Sequence, residues 1–225
     1  MSGTSAEDCV GVRAIGCVCV LVTSHLGKPG QNVLPVDRPT RAADLKAIPE
    51  AYALSDGGEN DFLAGGGETG ALMRARDWST TPLGRPETWP QSLRTSVSTC
   101  LNCAFPILIW WGPALVKLYN DSYAEILGAK HPAALGSAGR DVWPEIWDVI
   151  GPMLGRVMSH GEATRAEDLQ LLLHRRGFDE ECYFCFSYSP IRDETGGFGG
   201  VFCPVIETTA RVIGERRLAL ERDSL

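Results

Sequence analysis

The apolar positions between Phe105 and Ile206 fall mostly into short runs of strand length, with helical spacing intervening. Phe105 to Trp111 is unbroken apolar until Gly112-Pro113 stops it, and Leu115 to Tyr119 follows after a brief turn, which predicts a hairpin. Asn120-Asp121 is suited to cap a helix burying Tyr123, Ile126 and Leu127, with Gly128 ending it. HPAALG, 131–136, reads as a shorter turn. Val142 to Met158 carries Trp143, Ile146, Trp147, Ile150, Leu154 and Val157 at helical spacing, predicting one long helix bent at Pro152. Leu169 to Leu173 reads as a middle strand. The aromatic run Tyr183 to Tyr188, a turn built on Asp193, Gly196 and Gly197, and the apolar run Phe198 to Ile206 predict a second hairpin. Pro204 cannot donate to a ladder, so a bulge is expected there. Glu207, Thr208 and Thr209 then lead into the charged helical pattern ARVIGERRLALER.

Upstream, Asp77 to Leu93 alternates turn formers with two tryptophans. Trp89-Pro90 starts a helix with Leu93, Val97 and Leu101 on one docking face. From Gly27 to about Gly70 no period is sustained, and a composition rich in Gly, Pro, Asp and Ala buries too little apolar surface to offset its ordering entropy. The expected organisation is a mostly disordered leader over 1–71, a lead-in over 72–102, a domain over 103–209 and an output helix over 210–225.

The formal charge is −7, and no basic run is long enough to track phosphates, which argues against nucleic acid or an anionic membrane as direct partners. The apolar stretch Val10–Val22 is interrupted by Arg13 and preceded by acidic residues, unlike a signal peptide. It is also short for a bilayer span. Eight scattered cysteines fit a reducing cytosol better than a disulfide framework. Cys100-x-x-Cys103 and Cys182-x-x-Cys185 have zinc-like spacing, but strand residues three apart point to opposite faces, so no metal is expected.

The order S-x-S-P-I-R-D-x-x-G, a second strand, an acidic-x-Thr triplet and a helix is similar to the C-terminal end of a PAS sensory domain. The D-W-S-T-T-P-L-G lead-in and Y-N-D-x-Y-A-x-x-L-G-x-K-H-P-x-x-L-G resemble the PAS input domains of bacterial sensor histidine kinases. The resemblance implies an α+β fold in which one five-stranded antiparallel sheet carries helices across one face. It further implies a sensory module whose last strand feeds a signalling helix. Asn102-Cys103-Ala104-Phe105 matches the flavin-binding N-C-R-F only in part, lacking its Arg and lying ahead of the first strand. His160 stands where haem-binding relatives place a ligand, yet its neighbours Ser159 and Gly161 read as a helix end. No cofactor is therefore expected, the alternative being a flavin- or haem-bearing redox or photosensor domain.

Trp110, Tyr119, Asn120, Tyr123, Trp143, Trp147, Phe184 and Phe186 form the candidate pocket. It is either occupied by a small apolar or aromatic ligand, oriented by Tyr119, Asn120 or Tyr123, or is simply core. Asp193, Gly196, Glu207, Thr208 and Thr209 are the candidate relay, and Glu162, Glu167 and Asp168 read as a solvated edge. Ile206, Ile213 and Leu220 recur every seven residues, predicting the seam of a parallel homodimer. Neither a phosphorylatable kinase histidine nor an ATP loop is present, so a histidine kinase or other effector is expected as a partner, and no catalysis is expected from this chain.

Overall fold

The computed structural model describes residues 61–224. After a 3-10 turn at Asp61–Leu63 come helix α1 (Gly67–Ala75) and helix α2 (Gln91–Leu101). Strands β1 (Ile107–Trp111) and β2 (Val116–Tyr119) form the first hairpin. Helices α3 (Asp121–Leu127), α4 (Gly139–Val142) and α5 (Trp147–His160) cross to β3 (Thr164–His174), β4 (Asp179–Arg192) and β5 (Phe198–Glu207), and α6 (Thr209–Asp223) follows. The strands make one sheet in the order β2-β1-β5-β4-β3, antiparallel throughout. The expected PAS fold is the fold observed.

Sheet register explains the unbroken apolar runs. Leu108 and Trp110 face the α3–α5 side, while Trp111 and Val116 meet Leu83, Trp89 and Leu93 of the lead-in on the opposite side. With cover on both faces, every residue of β1 and β2 is buried. On β3, by contrast, Leu171 and Leu173 are buried and Leu172 between them is exposed.

Three local expectations change. The single helix Val142–Met158 is two helices separated by a 3-10 turn at Pro144–Ile146. Pro144 has no N–H to continue α4 and disfavours helical backbone at Trp143, while Pro152 is accommodated within α5. Pro204 causes no bulge: it pairs with Ile107 on one side, and on the other the β4–β5 pairs lapse after Phe186↔Val205 and resume in the same register at Ser189↔Phe202. The irregularity of that hairpin lies instead at Ile191/Arg192, beside the turn. The boundary expected at Leu72 falls inside α1. Asp121 accepts hydrogen bonds from the backbone N–H groups of Glu68 and Thr69 at 3.1 and 2.7 Å, so α3 supplies the cap that α1 lacks. Gly67, at φ 53°, lies so close that an added Cβ would overlap that carboxylate.

Candidate functional site

Between the inner sheet face and α3–α5 is an apolar cavity of about 40 Å³. Of the expected pocket residues, Trp110, Tyr123, Trp143, Phe184 and Phe186 line it, as do Tyr188 and Cys203. Three do not. Trp147 stacks edge-on against Trp110 at 6.3 Å, Tyr119 shares a hydrogen bond with His131 Nδ1 at 2.9 Å, and Asn120 is wholly committed to backbone. Its Oδ1 accepts from the N–H groups of Ile107 and Tyr123, and its Nδ2 donates to the carbonyls of Cys103 and Phe105. An amide with both donors and both acceptor positions used has nothing left to orient a ligand. Asn120 thus caps α3 and fixes the entry of β1.

The sequence reading missed Lys117. Paired with Trp110 across the hairpin, it points to the inner face and is 0% exposed. Its Nζ lies 4.7 Å from the Trp143 ring, 5.0 Å from Trp110 and 5.4 Å from Tyr123, and makes no hydrogen bond among the described residues. Burial, aided by the nearby Lys130 charge, pushes the amine well below its ordinary pKa; Cys203 and Glu145 oppose this without reversing it. Burial raises Tyr123, Tyr188 and Cys203, so each stays neutral around Lys117. Lys130, in contrast, is paired with Glu145 at 2.6 Å.

A second constellation surrounds the start of α6, where a single residue separates β5 from the helix. Arg175, 3% exposed at the β3–β4 turn, makes a two-pronged contact with Glu207, both bonds 2.8 Å. Arg175 also donates to the Ile126 carbonyl at the end of α3. Burial alone would raise Glu207, but hydrogen bonds from Arg175 and Thr209 hold its carboxyl below the ordinary value. Thr208 N–H donates to the Tyr183 carbonyl, and Tyr183 N–H donates to Thr209 Oγ1. Thr208 Oγ1 does not cap α6 but donates to Asp168 at 2.7 Å.

Asp168 lies on the edge strand β3 with its side chain 39% exposed, as a solvated edge residue would, but its carboxylate is engaged. It sits in the β3 bulge between Ala166 and Leu169 with φ 47°, a left-handed backbone that Asp tolerates better than most residues. It pairs with Arg211 of α6, and hydrogen bonds from Arg211 and Thr208 keep its carboxyl below the usual range. One turn and a half along α6, Arg216 pairs with Glu181 of β4 at 2.8 Å and lies over the Tyr183 ring at 4.9 Å.

Asp193 and Gly196 stand apart from this junction. They form the turn between β4 and β5, at the opposite end of β5 from Glu207, where Asp193 Oδ1 accepts from the N–H groups of Thr195 and Gly197. Gly196 takes φ 87°. Their place in the relay series is that of turn builders. Of the heptad residues, Ile213 and Leu220 lie on α6, but Ile206 is a strand residue. The seven-residue spacing from Ile206 to Ile213 thus has no helical meaning.

Cys182 is buried beside Arg175, and Cys185 contacts Asp168 on the other face. Among the described residues no group of three or more His, Cys, Asp or Glu side chains is placed to hold a metal, and no helix is long and apolar enough to cross a membrane. His160 is the last residue of α5, closed by Gly161 in a left-handed conformation.

A bulged five-stranded antiparallel sheet, an inner aromatic cavity and a helix bound directly to the last strand define a sensory-domain architecture. Residues 115–213 match the family model described as the PAS fold. Among solved structures it is similar to a sensory box sensor histidine kinase from Vibrio cholerae, at 17% identity and TM-score 0.38, covering 46% of this chain and 82% of that one. It is likewise similar to the PAS domain of Bordetella pertussis BvgS, at 23% identity and TM-score 0.39, covering 54% and 89%. An RNA-binding Light-Oxygen-Voltage receptor matches at 18% identity and TM-score 0.40, covering 55% of this chain and 35% of that one. No curated protein matches.

Proposed function

We propose that this PAS sensory domain is a cytoplasmic, non-catalytic input module of a two-component system, relaying changes in its sheet through α6 and a parallel homodimer to a histidine kinase or other effector. The observation that carries the reading is the junction itself. Glu207, Thr208, Arg211 and Arg216 bind groups on the β3–β4 turn, the β3 bulge and β4, so these parts of the sheet hold the first turns of α6 without an intervening linker. A shift in the sheet would then be passed on as a change in helix orientation.

Beyond those turns α6 has no buried residue, and Leu218 and Leu220 are 60% and 67% exposed. A second copy of α6 would cover them. Sedimentation of wild type and Ile213→Asp tests this: the wild type is expected to be dimeric and the variant monomeric with its core folded. A monomeric wild type at high concentration, or a variant that remains dimeric, would overturn the dimer. The purified protein is expected to be colourless, and an absorption band in the flavin or Soret region would replace this reading with a cofactor-based sensor.

A further inference from the structure

Lys117 is fully buried, has three ring faces about its Nζ and makes no hydrogen bond among the described residues. Such a position tolerates the neutral amine and disfavours the ammonium ion, which would bring three donors to a place that offers no acceptor. The negative faces of the rings offset only part of that cost. Tyr123 from α3, Tyr188 from β4, which lies edge-on to Trp110, and Cys203 from β5 are all kept neutral by burial. The charged groups that act on the amine are Lys130 and Glu145, bonded to each other at 2.6 Å. Trp143 joins the two regions. Its ring lies 4.7 Å from Lys117 Nζ and 4.2 Å from Lys130 Nζ, so one indole meets both a buried, unpaired amine and a paired ammonium.

We propose that Lys117 is a proton switch: acidification charges the amine, and that charge disturbs the Lys130–Glu145 pair and, through it, the base of α6. The inference rests on the sensory reading above and names its signal as the proton itself. During local opening of the hairpin a hydronium ion gives its proton to the amine's lone pair, an N–H bond forms and water is left. Nothing is oxidised or reduced. A second ammonium beside Trp143 then repels Lys130 and attracts Glu145. Glu145 does not move alone, because it also accepts a hydrogen bond from the backbone N–H of His174, the last residue of β3, at 3.0 Å. The next residue is Arg175, whose guanidinium holds Glu207 through two bonds of 2.8 Å. From the amine to the start of α6, each link is thus a side-chain contact, a hydrogen bond or a shared peptide.

A chain of contacts becomes coupling only when one end answers to the other. Carbon NMR of the lysine Cε signals in the full chain, followed from alkaline pH down to acid unfolding, measures the first end, with Lys117 assigned by the signal missing from Lys117→Met. That signal is expected to titrate well below the ordinary lysine value of about 10.4 while the protein remains folded. Hydrogen-exchange protection in the first turns of α6 measures the second end. It should fall several-fold between about one pH unit above the Lys117 midpoint and about one below it. Lys117→Met, close in length and apolar, should show no such fall. Glu145→Gln should lower the midpoint, since the carboxylate favours the charged amine, and should abolish the response of α6. A Lys117 that titrates at the ordinary value or stays neutral until the protein unfolds would overturn the proposal. So would α6 protection equally dependent on pH in wild type and Lys117→Met, or an unaltered response in Glu145→Gln. None of these results bears on the sedimentation of Ile213→Asp, so the proton switch and the α6 dimer fail separately.

Discussion

Arg175 and Lys117 are both buried basic side chains, 3% and 0% exposed, and the structure treats them in opposite ways. Arg175 is surrounded by acceptors: Glu207 through both prongs, the Ile126 carbonyl, and Glu180 at 3.5 Å from Nε. Among the described residues Lys117 has ring faces and no hydrogen-bond partner. A guanidinium cannot shed its proton, so its burial requires partners, whereas an amine can become neutral and be buried without them. The first arrangement fixes a junction. The second leaves an amine among ring faces without a hydrogen-bond partner among the described residues. The molecule thus keeps a paired basic group at the base of α6 and an unpaired one within the core.

The largest effect should come from breaking the satisfied side. Arg175→Ala strands Glu207 and the Ile126 carbonyl, and denaturant unfolding should show a loss of about 3 kcal/mol, the low end for a broken buried pair because Glu207 keeps some contact with water. The variant should also lose part of its acid sensitivity. Glu207 has a depressed carboxyl, so its contribution is present above the ordinary carboxylate pKa and disappears as pH falls through the folded value; without Arg175 that dependence flattens. An unchanged midpoint would mean that the Arg175 contacts are not what holds the junction.

Next in size, Lys117→Met should raise stability by about 1–3 kcal/mol, the cost of an unsatisfied buried polar group. The sign with pH is diagnostic. The folded amine loses its proton at a lower pH than the unfolded one, so wild-type stability should climb as pH rises from the folded amine's titration toward about pH 10.4. The variant should lose this slope, and a slope shared by both proteins would place its origin elsewhere.

Smaller still, Asp168→Asn keeps the tolerance for left-handed backbone but removes the charge that Arg211 meets. Hydrogen exchange in the first turns of α6 should quicken several-fold with the thermal midpoint little changed. Glu181→Gln should do least, leaving the midpoint unresolved from wild type and loosening only the segment around Arg216. Equal exchange rates in both variants and wild type would show that α6 is held by packing alone.

Much of the sheet was legible because its hairpins are local: apolar runs of strand length flank turns whose residues have a conformational reason to be there. The aromatic half of the cavity was legible for the same reason. Lys117 was not, since a lysine inside Val-Lys-Leu-Tyr reads as the solvent side of an alternating strand, and only cover from both α2 and the α3–α5 side puts it inside. Asp168 was placed at an edge, but its bonds were not legible, because residues 164–168 lack apolar alternation and neither the bulge nor the contacts with Thr208 and Arg211 leave a periodic trace. Asn120 was read correctly as a cap, but its second pair of bonds reaches residues 103 and 105, which spacing cannot reveal. The heptad from Ile206 counted across a strand end, where the helical period has not yet begun.

The single residue between β5 and α6 makes the azimuth of the helix a property of the strand. An α-helix turns by about 100° per residue, so one residue inserted beside Thr208 would swing Arg211 and Arg216 away from Asp168 and Glu181 together, while three or four would bring them nearly back into phase. Length here acts as an angular setting, and a family of insertions at this point would read out in rotation what the native junction holds constant.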